Sequence, residues 1–205
     1  MNSFSHFPSK LLVRGNKDTK QVALTYNACT DEGSTLPILK VLEKNNVKAT
    51  FFLTGIFVDK FPEIAKKIYS NGHEIGNHSY NHENLSTLTH DEIMKTILDT
   101  EKVMEETIGV TPKPFFREPY GAWNNYIFQA VGDCGYEYSV YWTIDTKDCK
   151  IPPTRVIVNR VLREIKNGSI ILMHLDSKNT VEATDIIIKN LKAYGYKFVT
   201  ISQIL

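Results

Sequence analysis

Short apolar runs alternate along this chain with longer stretches in which apolar residues recur at the spacing of an α-helix. The apolar runs predict strands at residues 22–26, 49–54, 74–77, 114–117, 138–144, 169–173 and 197–201. The helical spacing predicts helices at residues 36–44, 63–68, 90–108, 125–131, 154–166 and 181–194. Strands that are apolar throughout and separated by helices indicate a parallel sheet covered by helices. The predicted class is α/β, and this pattern fits both a distorted (β/α) barrel and an open doubly wound sheet.

The composition is that of a single globular domain. With 205 residues, of which 42% are hydrophobic, the chain is long enough for one well-buried core. We predict an N-terminal extension at residues 1–20 and one domain at residues 21–205. A formal net charge of +1 gives no basis for binding nucleic acid or an anionic membrane. No apolar run is long enough to span a membrane, and the first six residues lack the pattern of a signal peptide.

Polar and ionisable side chains follow most of the predicted strands at the point where each strand ends. They are Asn27 and Cys29, His78 and His82, Arg117 and Tyr120, Asp145, Asp148 and Cys149, and His174. Since the carboxyl ends of parallel strands all lie at one edge of the sheet, we expect these groups to share a pocket. The chain has no glycine-rich phosphate loop, which argues against a nucleotide-dependent α/β enzyme.

His78 and His82 are the strongest candidates for chemistry in this set. Four residues apart, they would lie on one face if the backbone turned into a helix there, and one divalent cation could then contact both. Zinc, cobalt or nickel suits two imidazole ligands. An isolated pair of this spacing is more often two ordinary histidines. Its position in a predicted strand-to-helix loop favours the metal site.

Four ordered motifs in this chain resemble those of the polysaccharide deacetylase family, the carbohydrate esterases of family 4 with the NodB homology domain. The motifs are His78-Ser79-x-x-His82, Arg117-Glu118-Pro119-Tyr120, Asp145-x-x-Asp148 and Leu172-Met173-His174. The resemblance runs from about residue 22 to the C-terminus. It implies a distorted (β/α) barrel of about seven parallel strands and a metal-dependent hydrolase that removes acetyl groups from a glycan. The implied substrates are chitin-like glycans, peptidoglycan or xylan, and relatives that act on such glycans are secreted or lie in the cell envelope.

The resemblance also implies a role for each matched residue. His78 and His82 would be metal ligands, and a backbone N–H near Tyr120 would hold the oxyanion of the tetrahedral intermediate. His174 would protonate the leaving group, Asp148 would orient His174, and Arg117 would hold the base. Substrate contacts are expected from Tyr120, Trp142 and Leu172. A structural ion pair between Arg117 and Asp148 is the alternative to their catalytic roles.

The first motif departs from the family pattern. The family usually has Thr-Phe-Asp-Asp, in which the first Asp is the base and the second a metal ligand, whereas this chain has Thr25-Tyr26-Asn27-Ala28. An amide at Asn27 cannot accept a proton at neutral pH, and Ala28 offers no ligand atom. Either the replacement abolishes activity, or Asp31 or Glu32 in the next loop takes over, or the chain is a pseudoenzyme that binds glycan through Tyr120, Trp123 and Trp142.

The cysteines Cys29, Cys134 and Cys149 are too few for a disulfide scaffold. Cys149 stands where the family usually has a tryptophan in the pocket wall. Cys29 and Cys149 both follow strands at the same edge of the sheet, and a Cys29 thiolate could in principle complete a zinc site with the two histidines. We expect instead that both thiols are buried and act as small hydrophobic groups.

Overall fold

The computed structural model describes residues 7–205, which form one parallel sheet surrounded by helices. The strands are β1 (Lys10–Leu12), β2 (Gln21–Ala28), β3 (Thr50–Leu53), β4 (Glu74–Asn77), β5 (Phe115–Phe116), β6 (Tyr138–Val140), β7 (Ile144–Asp145), β8 (Ser169–His174) and β9 (Lys197–Phe198). The helices are α1 (Thr35–Lys44), α2 (Gly55–Lys60), α3 (Pro62–Ser70), α4 (His90–Ile108), α5 (Asn125–Asp133), α6 (Thr154–Glu164), α7 (Asn179–Ala193) and α8 (Ile201–Ile204).

The strands are ordered β1-β6-β5-β4-β3-β2-β8-β7, with β9 beside β2, and the paired strands run parallel. This confirms the predicted α/β class. The strand predicted at residues 138–144 is in fact two strands, β6 and β7, which lie near opposite ends of this order. Residues 141–143 alone connect them.

That short connection requires a curled sheet. In a flat sheet, the six strand spacings from β6 to β7 would add up to about 29 Å. Four residue steps of extended chain reach at most about 14 Å. The sheet therefore curls until its ends approach, and the chain just after β1 contacts β8: Arg14 forms an isolated bridge with Ser169, and Gly15 N donates to Gly168 O at 2.9 Å. The predicted distorted barrel is confirmed.

Strand β1 lies within the segment predicted to be an N-terminal extension. Its residues pair in register with β6, from Lys10 beside Tyr138 to Leu12 beside Val140. The predicted limits of the extension, residues 1–20, and of the domain, residues 21–205, remain predictions. Residues 1–6, on which the signal-peptide expectation falls, lie outside the described residues.

The central strand β2 explains why the middle of the sheet is so apolar in sequence. Residues 22–28 are buried, because β2 lies between β3 and β8, with one face packed against helices and the other inside the curled sheet. The most regular predicted helix, at residues 90–108, has the predicted bounds. Thr89 and Glu92 form a capping box at its start, and Gly109 ends it with φ of 82°.

Two further elements differ from the prediction. The short helix α2 was not predicted; it begins after Thr54, whose hydroxyl accepts a hydrogen bond from Phe57 N at 3.2 Å. The last predicted strand, at residues 197–201, ends at Phe198, and Thr200 instead caps helix α8. Helix α2 has six residues and α8 has four, which is too few for a pattern of apolar spacing to establish a helical period. None of the described helices combines the length and the apolar character needed to cross a bilayer.

Candidate functional site

A cleft of about 320 Å³ opens at the carboxyl ends of the strands. Among its lining residues are six of the residues predicted for the site: Asn27, His82, Tyr120, Trp142, Leu172 and His174. The curled sheet explains this convergence, because each parallel strand delivers its following loop to the same end of the barrel.

His78 lies fully buried at the end of β4. Its Nδ1–H donates to the backbone carbonyl of Arg117 at 2.7 Å, which leaves the lone pair on Nε2. That Nε2 atom has no hydrogen-bond partner in the structure. Burial first, and then the neighbouring His82, hold the pKa of His78 well below its usual value. The ring is therefore neutral, which is the form that binds a metal.

His82 approaches His78 through a loop and not through a helix. Residues 78–84 are irregular, with positive φ of 64° at Ser79 and 59° at His82. The helical geometry considered for this pair is therefore wrong, although the rings do converge, with centroids 4.9 Å apart. Burial, and then the neighbouring His174, lower the pKa of His82, so this ring is also neutral at neutral pH.

These two histidines belong to a group that could hold a metal ion. Among residues 7–205, the Sγ atom of Cys29 and one nitrogen of each ring lie within 4.8 Å of one another. The donor set of one sulfur and two nitrogens fits zinc or cobalt. The buried, unpartnered Nε2 of His78 is an independent sign that a cation fits here. Burial raises the pKa of the Cys29 thiol to about 12, so the thiol is protonated in the absence of a cation.

Asp148, which is fully buried, and His174, which lines the cleft, form a second polar unit. His174 Nδ1–H donates to Asp148 Oδ1 at 2.8 Å, and the backbone N–H of His174 donates to Oδ2 at 2.8 Å. The hydroxyl of Thr180 adds a third bond to Oδ2 at 2.6 Å. Burial alone would raise the pKa of Asp148, but these hydrogen bonds hold it below its usual value. Asp148 is therefore a carboxylate that fixes the ring and tautomer of His174.

Arg117 contacts Asn27, the residue at the position of the family's base. Its Nη1 donates to Asn27 Oδ1 at 3.0 Å and to Thr25 Oγ1 at 2.9 Å. Its Nε donates to Val140 O at 2.8 Å and its Nη2 to Tyr141 O at 3.2 Å. The alternative of an ion pair between Arg117 and Asp148 is wrong, since each group has these other partners.

Burial lowers the pKa of Arg117 to about 9, still high enough for the guanidinium to be charged at neutral pH.

The acids considered as replacements at the first motif do not join the site. Asp31 and Glu32 are exposed to solvent and do not line the cleft. Ala28 is fully buried in the main hydrophobic core. Of the alternatives for a third metal ligand, the described structure brings only the Cys29 thiol into a group with both histidines.

The two cysteines of the cleft differ from expectation. Both line it. Cys29 is only half-buried and Cys149 is exposed, so the expectation that both are buried is wrong. Cys134 alone packs in a hydrophobic cluster.

The aromatic residues predicted for substrate contacts divide into two groups. Tyr120 is 73% exposed and its ring lies 4.6 Å from that of His82. Trp142 lines the cleft and stacks on Tyr141 with centroids 5.4 Å apart. Trp123 is 64% exposed, but it stacks on Phe128 and does not line the cleft.

Two carboxyl groups of the cleft were given no role from the sequence. Glu118 is buried; it accepts a hydrogen bond from Ser139 Oγ at 2.5 Å, and its Oε2 has no partner in the structure. Burial raises its pKa to about 8. Asp176 lines the cleft and is exposed. The signals for both were present, since Glu118 lies inside the second motif and Asp176 follows the last motif by two residues.

Comparison with known proteins matches this chain to proteins of one family. The family profile described as polysaccharide deacetylase matches residues 14–139. The uncharacterized protein YlxY of Bacillus subtilis is 39% identical over 197 residues, which are 95% of this chain and 60% of YlxY. A peptidoglycan-N-acetylglucosamine deacetylase of Bacillus cereus is 39% identical over 191 residues, which are 91% of this chain and 69% of that protein. This chain thus spans less than two thirds of the length of YlxY.

Solved structures agree with the sequence comparison. The wild-type protein BA3943 of Bacillus anthracis, described as a CE4 family pseudoenzyme, superimposes with a TM-score of 0.91 and 35% identity, over 97% of this chain and 69% of BA3943. A mutant of BA3943 is described as having restored enzymatic activity, and it superimposes with the same TM-score and identity over 97% of this chain and 72% of the mutant. The sequence profile and the shared fold together establish that this chain belongs to the polysaccharide deacetylase family, carbohydrate esterase family 4.

Proposed function

We propose that this chain binds an acetylated glycan in the cleft at the mouth of the barrel and does not hydrolyse it. The observation that carries the proposal is the hydrogen bond from Arg117 Nη1 to Asn27 Oδ1 at 3.0 Å. The arginine that would hold the family's base holds an amide instead, and an amide cannot take a proton from water. Ala28, at the position of the family's carboxylate ligand, adds no donor atom.

The other half of the site retains what is needed to recognise an acetylated sugar. Asp148 fixes His174 through Nδ1, which leaves the Nε2 side of the ring to bond an oxygen or nitrogen of a ligand in the cleft. Tyr120, Trp142 and Leu172 supply apolar surface to the cleft, and aromatic rings pack well against the C–H face of a sugar. His78 and His82 would hold a divalent ion, and zinc is the ion to use in the binding experiments. When bound, that ion would polarise an acetyl carbonyl.

The names of the relatives suggest the glycan class. The Bacillus cereus relative is named a peptidoglycan-N-acetylglucosamine deacetylase, and another relative in Bacillus subtilis, 33% identical, is named a peptidoglycan-N-acetylmuramic acid deacetylase. We therefore propose N-acetylated amino sugars of the peptidoglycan type as the ligand. The description of BA3943 as a pseudoenzyme supports the loss of hydrolysis.

A second candidate function is metal-dependent deacetylation of the same glycan. It is favoured by the complete Asp148–His174 pair and by Asp176, a carboxyl group that lines the cleft and could act as the base. The experiment that separates the two functions measures acetate release and binding on the same samples. Substrates are N-acetylated chitin oligomers and peptidoglycan fragments, with the zinc-loaded full chain.

For the proposed function, we expect binding without acetate release by the unaltered chain, and acetate release by the double variant Asn27→Asp/Ala28→Asp. Asn27→Gln is the matched control, because it changes the same side chain without adding a carboxylate. Acetate release by the unaltered chain at a rate close to that of the double variant would establish the deacetylase instead. If the chain bound neither chitin oligomers nor peptidoglycan fragments, both the binding function and the deacetylase function would be contradicted.

A further inference from the structure

We propose that Cys29 is the third protein ligand of the metal ion, so that one thiolate and two imidazoles hold the ion in place of the family's carboxylate and two imidazoles. The inference deepens the proposed function, because it uses the same histidine pair. It differs in that it concerns the ligand set alone and can be tested without any glycan.

The first support is the distance between the donor atoms. Cys29 Sγ and one nitrogen each of His78 and His82 lie within 4.8 Å of one another. In a tetrahedral zinc site with usual bond lengths, sulfur and nitrogen ligands are about 3.5 Å apart. Cys29 directly follows the last residue of β2, and His82 lies in an irregular loop. Small side-chain rotations would therefore bring the atoms to binding distance.

The second support is independent of the cysteine. His78 Nε2 is buried without a hydrogen-bond partner, while its Nδ1 is held by the carbonyl of Arg117. Leaving a buried polar atom unsatisfied costs about 1–3 kcal/mol, so proteins rarely retain one without a use for it. A fixed tautomer with a free Nε2 is the arrangement that prepares a histidine for a metal.

The third support is the chemistry of the first motif. Ala28 removes the carboxylate ligand and packs in the core, and Asp31 and Glu32 are exposed. The next residue along the chain, Cys29, carries a soft ligand that binds zinc or cobalt and not magnesium or calcium. Three protein ligands leave one position of a tetrahedral ion open, as in zinc sites that contact a substrate.

Cobalt substitution tests the ligand directly. The full chain is titrated with Co²⁺ alone, and a single thiolate ligand produces a sulfur-to-cobalt charge-transfer band in the near ultraviolet. We expect the band in the unaltered chain, and we expect Cys29→Ser to abolish it and to weaken Zn²⁺ and Co²⁺ affinity by at least about tenfold. Cys149→Ser is the matched control, because Cys149 lines the same cleft, and it should leave band and affinity unchanged.

A rescue variant separates loss of the ligand from loss of folding. Adding a carboxylate at the neighbouring position, in Cys29→Ser/Ala28→Asp, should restore most of the metal affinity without restoring the charge-transfer band. Restoration of the band in that variant would overturn the inference, because no sulfur at position 29 would remain.

Alkylation of the unaltered chain needs no variant at all. We expect saturating Zn²⁺ to change the rate at which Cys29 reacts with iodoacetamide, as measured by peptide mass spectrometry, because the ion replaces the proton of the thiol with a metal–sulfur bond. The exposed thiol of Cys149 is the internal control, and its rate should not change.

The outcomes distinguish this inference from the proposed function. Cobalt bound without a charge-transfer band, a band lost in Cys149→Ser, or equal alkylation of Cys29 with and without zinc would each overturn the thiolate ligand. Failure to bind cobalt or zinc at all would overturn it too. A normal band in a chain that binds no acetylated glycan would leave the ligand set intact and contradict the proposed function.

Discussion

The buried guanidinium of Arg117 donates a hydrogen bond of 3.0 Å to the amide oxygen of Asn27, where the family's base would present a carboxylate. The amide of Asn27 accepts the same hydrogen bond from Arg117 as a carboxylate would, but it cannot accept a proton at neutral pH. We expect Asn27→Ala to lower the free energy of unfolding by roughly 1–3 kcal/mol, because it withdraws a partner from a buried charge. Urea denaturation at neutral pH measures this loss. Equal stability of Asn27→Ala and the unaltered chain would contradict the claim that Asn27 stabilises the buried charge of Arg117.

Asn27→Asp tests the same pair with a charge. Arg117 would depress the pKa of the new carboxyl below its unfolded value, so its stabilisation is present at neutral pH and is lost as the pH falls through that depressed pKa. We expect Asn27→Asp to be at least as stable as the unaltered chain at neutral pH and to lose that advantage in acid. Denaturation curves over a range of acidic pH measure the difference between the two proteins.

Asp148 is the charge that orients His174. We expect Asp148→Asn to lower the free energy of unfolding by roughly 2–4 kcal/mol at neutral pH, because an amide group would face donors from His174 and Thr180. Since its pKa is depressed, the contribution of Asp148 is lost as the pH falls through that pKa, and the variant should lack this acid dependence. Thermal unfolding at several pH values measures both effects. Thr180→Val is the control; it removes one bond and should cost only about 1 kcal/mol.

Glu118 should make the protein less stable as the pH rises. Burial raises its pKa to about 8 in the folded chain, above the value of an unfolded glutamate. Between those two values the folded state binds more protons, so the free energy of unfolding falls with increasing pH. We expect Glu118→Gln to flatten this slope and to be more stable than the unaltered chain at alkaline pH by roughly 1–3 kcal/mol, since one pKa unit corresponds to about 1.4 kcal/mol. The free energy of unfolding of both proteins is measured by urea denaturation over a range of pH. Equal dependence on pH in the two proteins would refute the assignment of this slope to Glu118.

Ile151 ends the short 3₁₀ turn that carries Asp148 and adopts φ of 51°, an unfavourable value for a β-branched residue. Its side chain is exposed, so little packing is lost when it is replaced. We expect Ile151→Asn to raise the free energy of unfolding by about 0.5–1 kcal/mol, because asparagine tolerates this backbone conformation. The control is Val156→Asn, an exposed site in the helix α6, which should show no gain in the same denaturation assay.

The sequence predicted most of the fold because the relevant signals are local. A strand buried on both faces, such as β2, must be apolar throughout, and a helix such as α4 carries its cap at Thr89 and its stop at Gly109. Helices of less than two turns escaped prediction, as α2 and α8 did, because a few residues do not establish a period. The predicted strand at residues 138–144 was divided for a different reason: its two halves pair with strands at opposite ends of the sheet.

The sequence predicted most of the residues of the candidate site, but it did not predict which of them contact one another. Motif order indicated His78, His82, Arg117, Asp148 and His174, which lie at the end of a strand or in the loop that follows it. Their pairing depends on loop geometry: His82 reaches His78 through residues with positive φ, and the buried Asp148 accepts a hydrogen bond from His174. Glu118 was given no role although it lies inside the second motif, because the burial that distinguishes its carboxyl group depends on the assembled strands.

The amino-acid sequence by itself determined the α/β class, the strand ends that carry chemistry, and the loss of a carboxylate at Asn27 and Ala28, since these are properties of residue type and local spacing. Only the tertiary structure decided that the sheet curls, that the Cys29 thiol lies beside the two imidazoles, and that Arg117 bonds an amide. Such contacts join residues distant in the chain, and their distances follow from the curvature of the sheet and the path of its loops.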